Sequence, residues 1–265
     1  MPELRALYDA EIRRDPPAIP GTRVERIGPI VRLTGTENIV LYSELRSDNA
    51  RQVVAEQADF FRRAGGEAEW KVYGHDGPPE LESILAEAGF VPEEPETLVI
   101  LDLEASVPER PSTPGVGVRR VRDALGVRDA VAANEAAFGP SGRKYSAQYA
   151  ELVEDPNQAL FVAYVGDAPI GSGRLELVPG RSFAGLWGGG VAPAHRRHGI
   201  YRALVATRAE MAKAAGYRYL TVDARETSRP ILERLGFVPL TTTRPWVLRS
   251  DSTGGAESGA AELPR

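Results

Sequence analysis

The residues best placed to do chemistry lie between Val191 and Leu204, which read VAPAHRRHGIYRAL. A basic cluster and Gly199 directly precede a segment with helical periodicity. The first amides of a helix have no intrahelical partner, the helix dipole adds positive charge there, and a glycine lets the backbone approach a ligand closely. Because no Asp or Glu occurs from Leu177 to Ala209, the local potential is positive. The pattern predicts a phosphate site, with an ordinary solvated helix start as the alternative.

The composition excludes several other kinds of site. The chain has 265 residues, 32 of them basic and 37 acidic, which gives a net charge of −5 and argues against sequence-independent nucleic-acid binding. It has no cysteine, so a disulfide framework, a thiolate zinc site and a cysteine nucleophile are excluded. His195 and His198 lack a nearby third ligand, so we expect no metal.

We expect the chain to be cytoplasmic and not bound to membranes. No apolar run approaches the roughly 20 residues that a membrane helix needs. Residues 1–14 carry charges where a signal peptide would have its apolar core. The basic residues include only three Lys, Lys71, Lys144 and Lys213, and the excess of Arg indicates a GC-rich bacterial genome.

The elements that must position the phosphate site follow from periodicity. In the second half we predict strands at 116–121, 160–165, 169–177, 182–191, 219–222 and 246–248, and helices at 127–138, 147–154, 199–215 and 227–235. In the first half we predict strands at 30–33, 39–43, 70–73 and 97–103, and helices at 49–64 and 79–88. The apolar stripe of the helix over 199–215 leaves Arg202, Arg208 and Glu210 largely outside it. The order predicts an α/β fold with a mixed sheet flanked by helices.

A partial repeat divides the chain into two halves. ILAEAGFVP, residues 84–92, returns as ILERLGFVP, residues 231–239, and each copy predicts a helix that ends at a glycine. A common helix-stop pattern met twice is the alternative. Between the copies, residues 107–115 are rich in proline and predict a linker, while residues 250–265 are small and polar and predict a disordered tail. We therefore expect two copies of one fold, at 1–106 and 116–249, with the first truncated.

Residues 116–248 resemble the GNAT superfamily of N-acetyltransferases. Arg196 to Tyr201 resembles the family's Arg/Gln-x-x-Gly-x-Gly/Ala loop, Val191-Ala192-Pro193 resembles its V-x-P element, and ILERLGF resembles the helix that ends in Leu-Gly-Phe. The resemblance implies acetyl-CoA as co-substrate, with pantetheine on the Val191 backbone and at Ser228. It implies that pyrophosphate binds to a loop made of Arg196, Arg197, His198, Gly199, Ile200 and Tyr201. Tyr201 is a departure, because the family has a small residue there.

The resemblance does not supply a general acid or base. Leu232 stands where many family members carry the Tyr that protonates the leaving thiolate, and the strand before Val191 has no carboxylate. We predict a water-mediated base organised by Asp223, ranked slightly ahead of Glu176, with an ordinary solvated or ion-paired carboxylate as the alternative for each. We expect the acceptor pocket to be lined by Tyr145, Trp187 and Gly189. The alternatives are a flexible helix connection for residues 138–145 and core packing, the safer interpretation, for Trp187.

The sequence thus predicts acetyl transfer from acetyl-CoA to a primary amine of a small molecule or peptide. The alternative is a non-catalytic acyl-CoA-binding sensor or interaction module. A nucleotide-phosphate enzyme is disfavoured, since Gly199 lacks the Gly-Lys-Ser/Thr continuation. In the first half, the helix start that corresponds to the Gly199 loop is Ser47 to Ala50, which contains Asp48 and no pair of basic residues. Because the negative charge of Asp48 repels phosphate, we expect the first half not to bind CoA and to have a structural role. Exposed edge strands of such a sheet would allow a homodimer.

Overall fold

The computed structural model describes residues 1–17, 21–140 and 145–249, so the predicted tail at 250–265 lies outside the described residues. The helices are α1 (Pro2–Tyr8), α2 (Ala50–Ala64), α3 (Leu81–Glu87), α4 (Ala124–Phe138), α5 (Tyr145–Glu154), α6 (Ile200–Ala214) and α7 (Arg229–Arg234). A π-helical turn (Asp9–Arg14) follows α1, and a 3-10 turn (Pro193–His195) precedes α6.

The strands alternate with these helices and give the mixed α/β fold that the sequence predicts. They are β1 (Thr22–Ile27), β2 (Ile30–Gly35), β3 (Ile39–Ser43), β4 (Ala68–Tyr73), β5 (Val91–Pro92), β6 (Glu96–Asp102), β7 (Val116–Arg120), β8 (Gln158–Val165), β9 (Ala168–Leu177), β10 (Phe183–Val191), β11 (Tyr219–Ala224) and β12 (Val238–Leu248). The sequence pattern missed α1, the π-helical turn and β1, and it predicted β12 as three residues instead of eleven.

The chain packs into two compact units. Among the described residues, unit 1 contains 1–99, 223–230 and 239–249, and unit 2 contains 100–222 and 231–238. The division therefore falls inside β6, between Val99 and Ile100, and not in the proline-rich segment at 107–115. Because the chain returns to unit 1 after residue 222, unit 1 is built from segments that are distant in sequence.

Unit 1 contains a sheet in the order β1-β2-β3-β4-β12. Strands β3 and β4 are parallel, whereas β12 is antiparallel to β4 with a register that runs from Thr243 opposite Tyr73 to Leu248 opposite Ala68. Helices α2 and α3 bury their apolar faces in one core, around Phe61, Trp70 and other buried side chains. The fully buried Trp70 lies opposite Trp246, so the last strand of the chain completes this core.

A network of buried charges lies in unit 1. The guanidinium of Arg13 is 1% exposed, and it donates to both oxygens of Asp76 at 2.8 and 2.6 Å and to Asp9 at 2.7 Å. Burial opposes the charged form, but the two carboxylates raise the pKa of Arg13 above its usual value. His75 Nε2 lies 2.9 Å from Asp9, which connects the π-helical turn to the end of β4. These contacts hold the polar N-terminal segment in place.

The two copies of the sequence repeat form the same local structure. In the first, the amide of Phe90 donates to Leu85 and Gly89 has φ of 93°; in the second, the amide of Phe237 donates to Leu232 and Gly236 has φ of 94°. Leu85 and Leu232 are both fully buried. A left-handed glycine that reverses the chain so that the next aromatic residue returns to the core is the Schellman helix end. The repeat is therefore a repeat of structure at these nine residues.

Unit 2 contains a sheet in the order β11-β10-β9-β8-β7. Strands β7 to β10 are antiparallel neighbours, and β10 and β11 are parallel. Helices α4 and α5 cover one face, where Tyr145 and Tyr149 pack with Leu160 and Val162 of β8. Helix α6 packs on the opposite face, since the Cβ that Gly171 lacks would lie 3.4 Å from Leu204. Asp123 caps α4 by accepting from the Gly126 amide at 2.8 Å.

Candidate functional site

The site is built around the end of β10. This strand is parallel to β11 from Phe183 to Gly185, and its pairing with β11 ends there, opposite Thr221. Pairing with β9 continues to Val191, with a bulge between Trp187 and Gly190. Beyond Gly185, β10 has no strand of the described residues paired to it on the β11 side. The predicted role of Val191 stays a prediction.

The loop after β10 has the backbone conformation of an anion site. Arg197 has φ of 66° and Gly199 has φ of 79°, and α6 begins at the next residue, Ile200. Positive φ at a non-glycine residue is strained and is concentrated at functional sites. The first turn of a helix carries the positive end of the helix dipole, and α6 starts directly after this loop. The loop therefore has the backbone geometry and the electrostatics that favour an anion.

Arg196 has a different position from the one that the sequence motif suggests. Its Nε donates to the Val191 carbonyl at 3.0 Å, and its Nη2 donates to the Ala137 carbonyl at 3.2 Å. The guanidinium thus fixes the end of β10 to the end of α4. The side chains of Arg197 and His198 are exposed to solvent.

The structure explains how Tyr201 fits where the family has a small residue. Its ring turns toward the bulge of β10, because a Cβ on Gly189 would lie 3.2 Å from Tyr201 Cε2. The backbone amide of Tyr201 stays in the first turn of α6. The absence of a side chain at Gly189 therefore provides the space for the Tyr201 ring.

Arg208 is a buried cation beneath the same bulge, and the sequence expectation that it lies outside the buried stripe was wrong. It is 1% exposed and donates to the carbonyls of Leu204 at 3.0 Å and Arg174 at 3.1 Å. Gly173 provides the space, since a Cβ there would lie 2.7 Å from Arg208 Nη1. Burial lowers the pKa of Arg208 to about 10, partly opposed by Tyr201, so the side chain stays protonated at neutral pH. Arg208 fixes the strand backbone on the α6 side.

Glu176 lies on the opposite face of the sheet, at the level where the β10–β11 pairing ends. It is the cross-strand partner of Gly185, and its Oε2 accepts from Trp187 Nε1 at 2.9 Å. Gly185 is required there, because a Cβ would lie 2.6 Å from Trp187 Nε1 and 3.4 Å from Glu176 Oε2. The structure thus brings two predicted site residues, Glu176 and Trp187, together beside the predicted pantetheine edge.

Asp223 is in a different environment from Glu176. It belongs to unit 1, where its Oδ2 accepts from Lys71 Nζ at 2.5 Å and its Oδ1 from Thr243 at 3.2 Å. Burial opposes the charge of Lys71, but Asp223 raises the pKa of Lys71. Ser228 also belongs to unit 1, where its hydroxyl donates to the Arg225 carbonyl at 3.1 Å. The predicted roles of Asp223 and Ser228 in the site stay predictions.

The close packing of β10 against α4 gives a prediction on stability. A Cβ on Gly190 would lie 2.4 Å from the Phe138 ring and 2.9 Å from the Ala137 methyl. We expect Gly190→Ala to lower the free energy of unfolding by about 1–3 kcal/mol, measured by urea denaturation. Gly117→Ala, in β7, meets no atom within 4 Å and is the control. A Gly190→Ala protein as stable as the control would contradict this packing.

The described part of the chain has a further cavity, and it shows neither a metal-binding group nor a membrane-spanning helix. In residues 1–17, 21–140 and 145–249, no three His, Asp or Glu side chains are grouped to hold a metal ion. No helix in those ranges has the length and apolarity needed to cross a membrane. A cavity of about 390 Å³ lies between α4 and α5, and Val127, Arg128, Ala150 and Val153 are among its lining residues. Its lining includes no residue of the loop after β10, so it is separate from the candidate site.

Comparisons with known proteins agree with this geometry. Solved structures of similar fold include a GCN5-related N-acetyltransferase from Kribbella flavida, which is 16% identical with a TM-score of 0.67, over 96% of this chain and 95% of that one. A functionally unknown conserved protein from Staphylococcus epidermidis is 15% identical with a TM-score of 0.69, over 93% of this chain and 99% of that one. A tandem GNAT protein from the clavulanic acid biosynthesis pathway is 17% identical with a TM-score of 0.59, over 89% and 86% of the two chains.

These identities establish similarity of fold alone. No curated protein matches the sequence. The model of the Acetyltransferase (GNAT) family matches residues 129–237, which include β8 to β11, the loop after β10 and the Leu-Gly-Phe helix end. Residues 129–237 of this chain therefore form a domain of the acetyltransferase (GNAT) family.

Proposed function

We propose that the protein transfers an acetyl group from acetyl-CoA to a primary amine of a small molecule or peptide. The observation that carries the proposal is the loop from Arg197 to Gly199, with left-handed backbone at two residues at the start of α6, placed directly after a strand whose pairing with β11 ends at Gly185. This arrangement lies within the GNAT domain. The loop would hold the pyrophosphate, and the edge of β10 up to Val191 would hold the pantetheine.

Direct transfer needs only a few contributions from the chain, because a thioester is already activated. The amine nitrogen attacks the carbonyl carbon, the C–S bond breaks, and one proton leaves the ammonium formed by the attack. An amide of β10 near the bulge would donate to the oxyanion, and Gly188 to Gly190 leave that backbone accessible. Water would protonate the thiolate, since Leu232, fully buried, stands where the family's acid would be.

Glu176 is the better of the two candidate bases. It is partly exposed beside the end of the β10–β11 pairing, whereas Asp223 is committed to the buried pair with Lys71. Trp187 donates to one oxygen of the Glu176 carboxylate at 2.9 Å and Gln158 to the other at 3.4 Å, which orients the group. Each carboxylate oxygen has two lone pairs, so the carboxylate can still accept from a water or the amine. From the sequence alone Asp223 ranks slightly ahead, because its ion pair with Lys71, 152 residues earlier, is not visible there.

Glu176→Gln is expected to lower kcat about 100-fold while leaving the affinity for acetyl-CoA unchanged. The amide keeps an acceptor oxygen for Trp187 but cannot take a proton. Release of the CoA thiol, followed by absorbance, measures kcat, and calorimetric titration measures the affinity. Glu151→Gln, an exposed position on α5, is the matched control. A Glu176→Gln enzyme with unchanged kcat would remove Glu176 from the mechanism.

The first experiment is calorimetric titration with acetyl-CoA, followed by a panel of amines with mass detection of the acetylated product. One binding site and turnover of an amine are expected. A non-catalytic acyl-CoA sensor is the alternative, and the buried Leu232 in place of a tyrosine is the observation that favours it. Binding without turnover of any amine would support the sensor, and absence of binding to the folded protein would reject both functions.

A further inference from the structure

Three buried polar groups on the α4–α5 face of unit 2 have no hydrogen-bond partner among the described residues. They are Oδ1 of Asn134, the hydroxyl of Tyr145 and Oγ of Ser172. Their residues are 2%, 6% and 1% exposed. More than nine in ten buried polar groups in folded proteins are paired, with protein or with a bound molecule. Three such groups on one face therefore indicate a polar occupant.

The three groups line the same space. Ser172 is the cross-strand partner of Val162, and Val162 packs in one cluster with Tyr145 and Tyr149, so all lie on one face of β8 and β9. Ser172 is also the partner of Gly190 in β10. Gly190 packs against Ala137 and Phe138 of α4, since a Cβ on Gly190 would lie within 3 Å of both side chains. Asn134 lies about one helical turn before them on α4. The groups thus converge between α4, α5 and the strands.

Arg174 adds a positive charge to this space. It follows Ser172 by two residues on β9 and so points to the same face. Its guanidinium carbon lies 5.7 Å from the centre of the Trp187 ring, and its Nε is buried without a hydrogen-bond partner among the described residues. Burial raises the pKa of Tyr149 to about 12, and the charge of Arg174 acts against that rise. An unsatisfied guanidinium N–H among other unsatisfied groups matches an anionic ligand.

Glu176 lies on the same face of β9 as Ser172 and Arg174, two residues after Arg174. Two residues of an extended strand span about 6.6 Å, so a basic and an acidic side chain stand side by side along the face. Glu176 is held by Trp187, and Gln158 Nε2 lies 3.4 Å from its other oxygen. Arg174 therefore presents a positive group and Glu176 a negative group to one small molecule.

We propose that the acceptor is a zwitterion of the amino-acid type, with its carboxylate on Arg174 and its amine beside Glu176. The hydroxyls of Ser172 and Tyr145 and the amide of Asn134 would bind the remaining polar atoms of the carboxylate and its neighbours. This inference rests on the proposed function and deepens it, because it names the chemical class of the acceptor. A plain polyamine or another amine without an acidic group would leave Arg174 unsatisfied.

The test compares each amino acid with the amine that lacks its α-carboxylate, such as phenylalanine with phenethylamine, lysine with cadaverine and leucine with isopentylamine. The panel covers the common amino acids, and CoA release gives kcat and KM. Wild-type protein is expected to favour at least one amino acid over its decarboxylated amine by 100-fold or more in kcat/KM. In Arg174→Met that preference is expected to fall below about fivefold through KM, with the affinity for acetyl-CoA unchanged.

Arg119→Met is the matched control, since Arg119 also lies over an aromatic ring, that of Tyr164 at 4.8 Å, but on the exposed edge strand β7. It is expected to keep the preference. Decarboxylated amines that react as well as the amino acids, or a preference that survives in Arg174→Met, would overturn the proposal.

A binding measurement separates this proposal from the proposed function. Calorimetric titration of the same compounds, with CoA present, does not require turnover. Binding of an amino acid to wild type but not to Arg174→Met supports the subsite even if no acetylated product forms, in which case acetyl transfer alone is rejected. If no amino acid binds better than its amine, the subsite is rejected even where amines are acetylated.

Discussion

Gly199→Glu is expected to abolish detectable acetyl-CoA binding, with Kd raised at least about 100-fold, which corresponds to about 2.8 kcal/mol. Gly199 has φ of +79°, which is costly for any other residue, and its Cβ would lie 3.2 Å from Thr113 Oγ1. Thr113 also donates to the His198 carbonyl at 3.2 Å, so the loop has little freedom to adjust. The new carboxylate would in addition stand before the first amides of α6, where negative charge competes with phosphate. Calorimetric titration measures the loss.

A matched pair of alanine variants separates the binding role from backbone strain. Gly216 has φ of +87°, follows the other end of α6, and a Cβ there would meet no atom within 4 Å. Gly216→Ala and Gly199→Ala therefore carry a similar conformational cost of about 1–2 kcal/mol. We expect both to lower the melting temperature and only Gly199→Ala to weaken acetyl-CoA binding. Equal affinities in the two variants would place the phosphates elsewhere.

Asp76→Ala is expected to lower the free energy of unfolding by about 3–5 kcal/mol. Arg13 is 1% exposed and Asp76 is 3% exposed, so removal of this carboxylate leaves a buried guanidinium with only part of its hydrogen bonds. The loss also removes the acceptor for the Tyr73 amide, 3.0 Å from Asp76 Oδ2. Urea denaturation followed by circular dichroism measures the change.

The exposed pair between Arg26 and Asp15, 55% and 57% exposed, is the control for this prediction. Arg26→Ala is expected to change stability by less than about 1 kcal/mol, because water screens exposed charges and solvates the remaining partner. A loss below about 1 kcal/mol for Asp76→Ala as well would show that the Arg13 charge reaches solvent when the carboxylate is removed.

The parts of the fold that the sequence predicts are those with local signals. The loop after β10 and the start of α6 are visible because the basic cluster, Gly199 and a 3.6-residue period follow one another directly. The two helix ends at Gly89 and Gly236 are visible because a left-handed glycine followed by a returning aromatic residue is set within six residues. The hairpin of β8 and β9 is visible from its turn at Gly166, which has φ of 59°.

The parts that the sequence does not predict depend on partners far along the chain. Arg208 is charged, so its residue type predicts an exposed position, whereas its burial depends on the space left by Gly173 and on carbonyls of β9 and β10. The ion pair of Asp223 depends on Lys71, 152 residues earlier. Helix α1 has only seven residues, too few to show a helical period, and its Tyr8 packs against Tyr73, 65 residues later in the chain. Periodicity carries no information about such pairings.

Because unit 1 is built from segments that lie far apart in the chain, it cannot be completed early during synthesis on the ribosome. Its strand β4 needs β12 as a neighbour, and its Lys71 needs Asp223, yet both partners come from beyond residue 222. At about 5–20 residues per second, the roughly 165 residues between β4 and β12 take on the order of 10 s to emerge. During that time β4 has an open apolar edge, which favours pairing with other chains. Unit 1, although most of it precedes unit 2 in the chain, is therefore complete only after residues 239–249 have been synthesised.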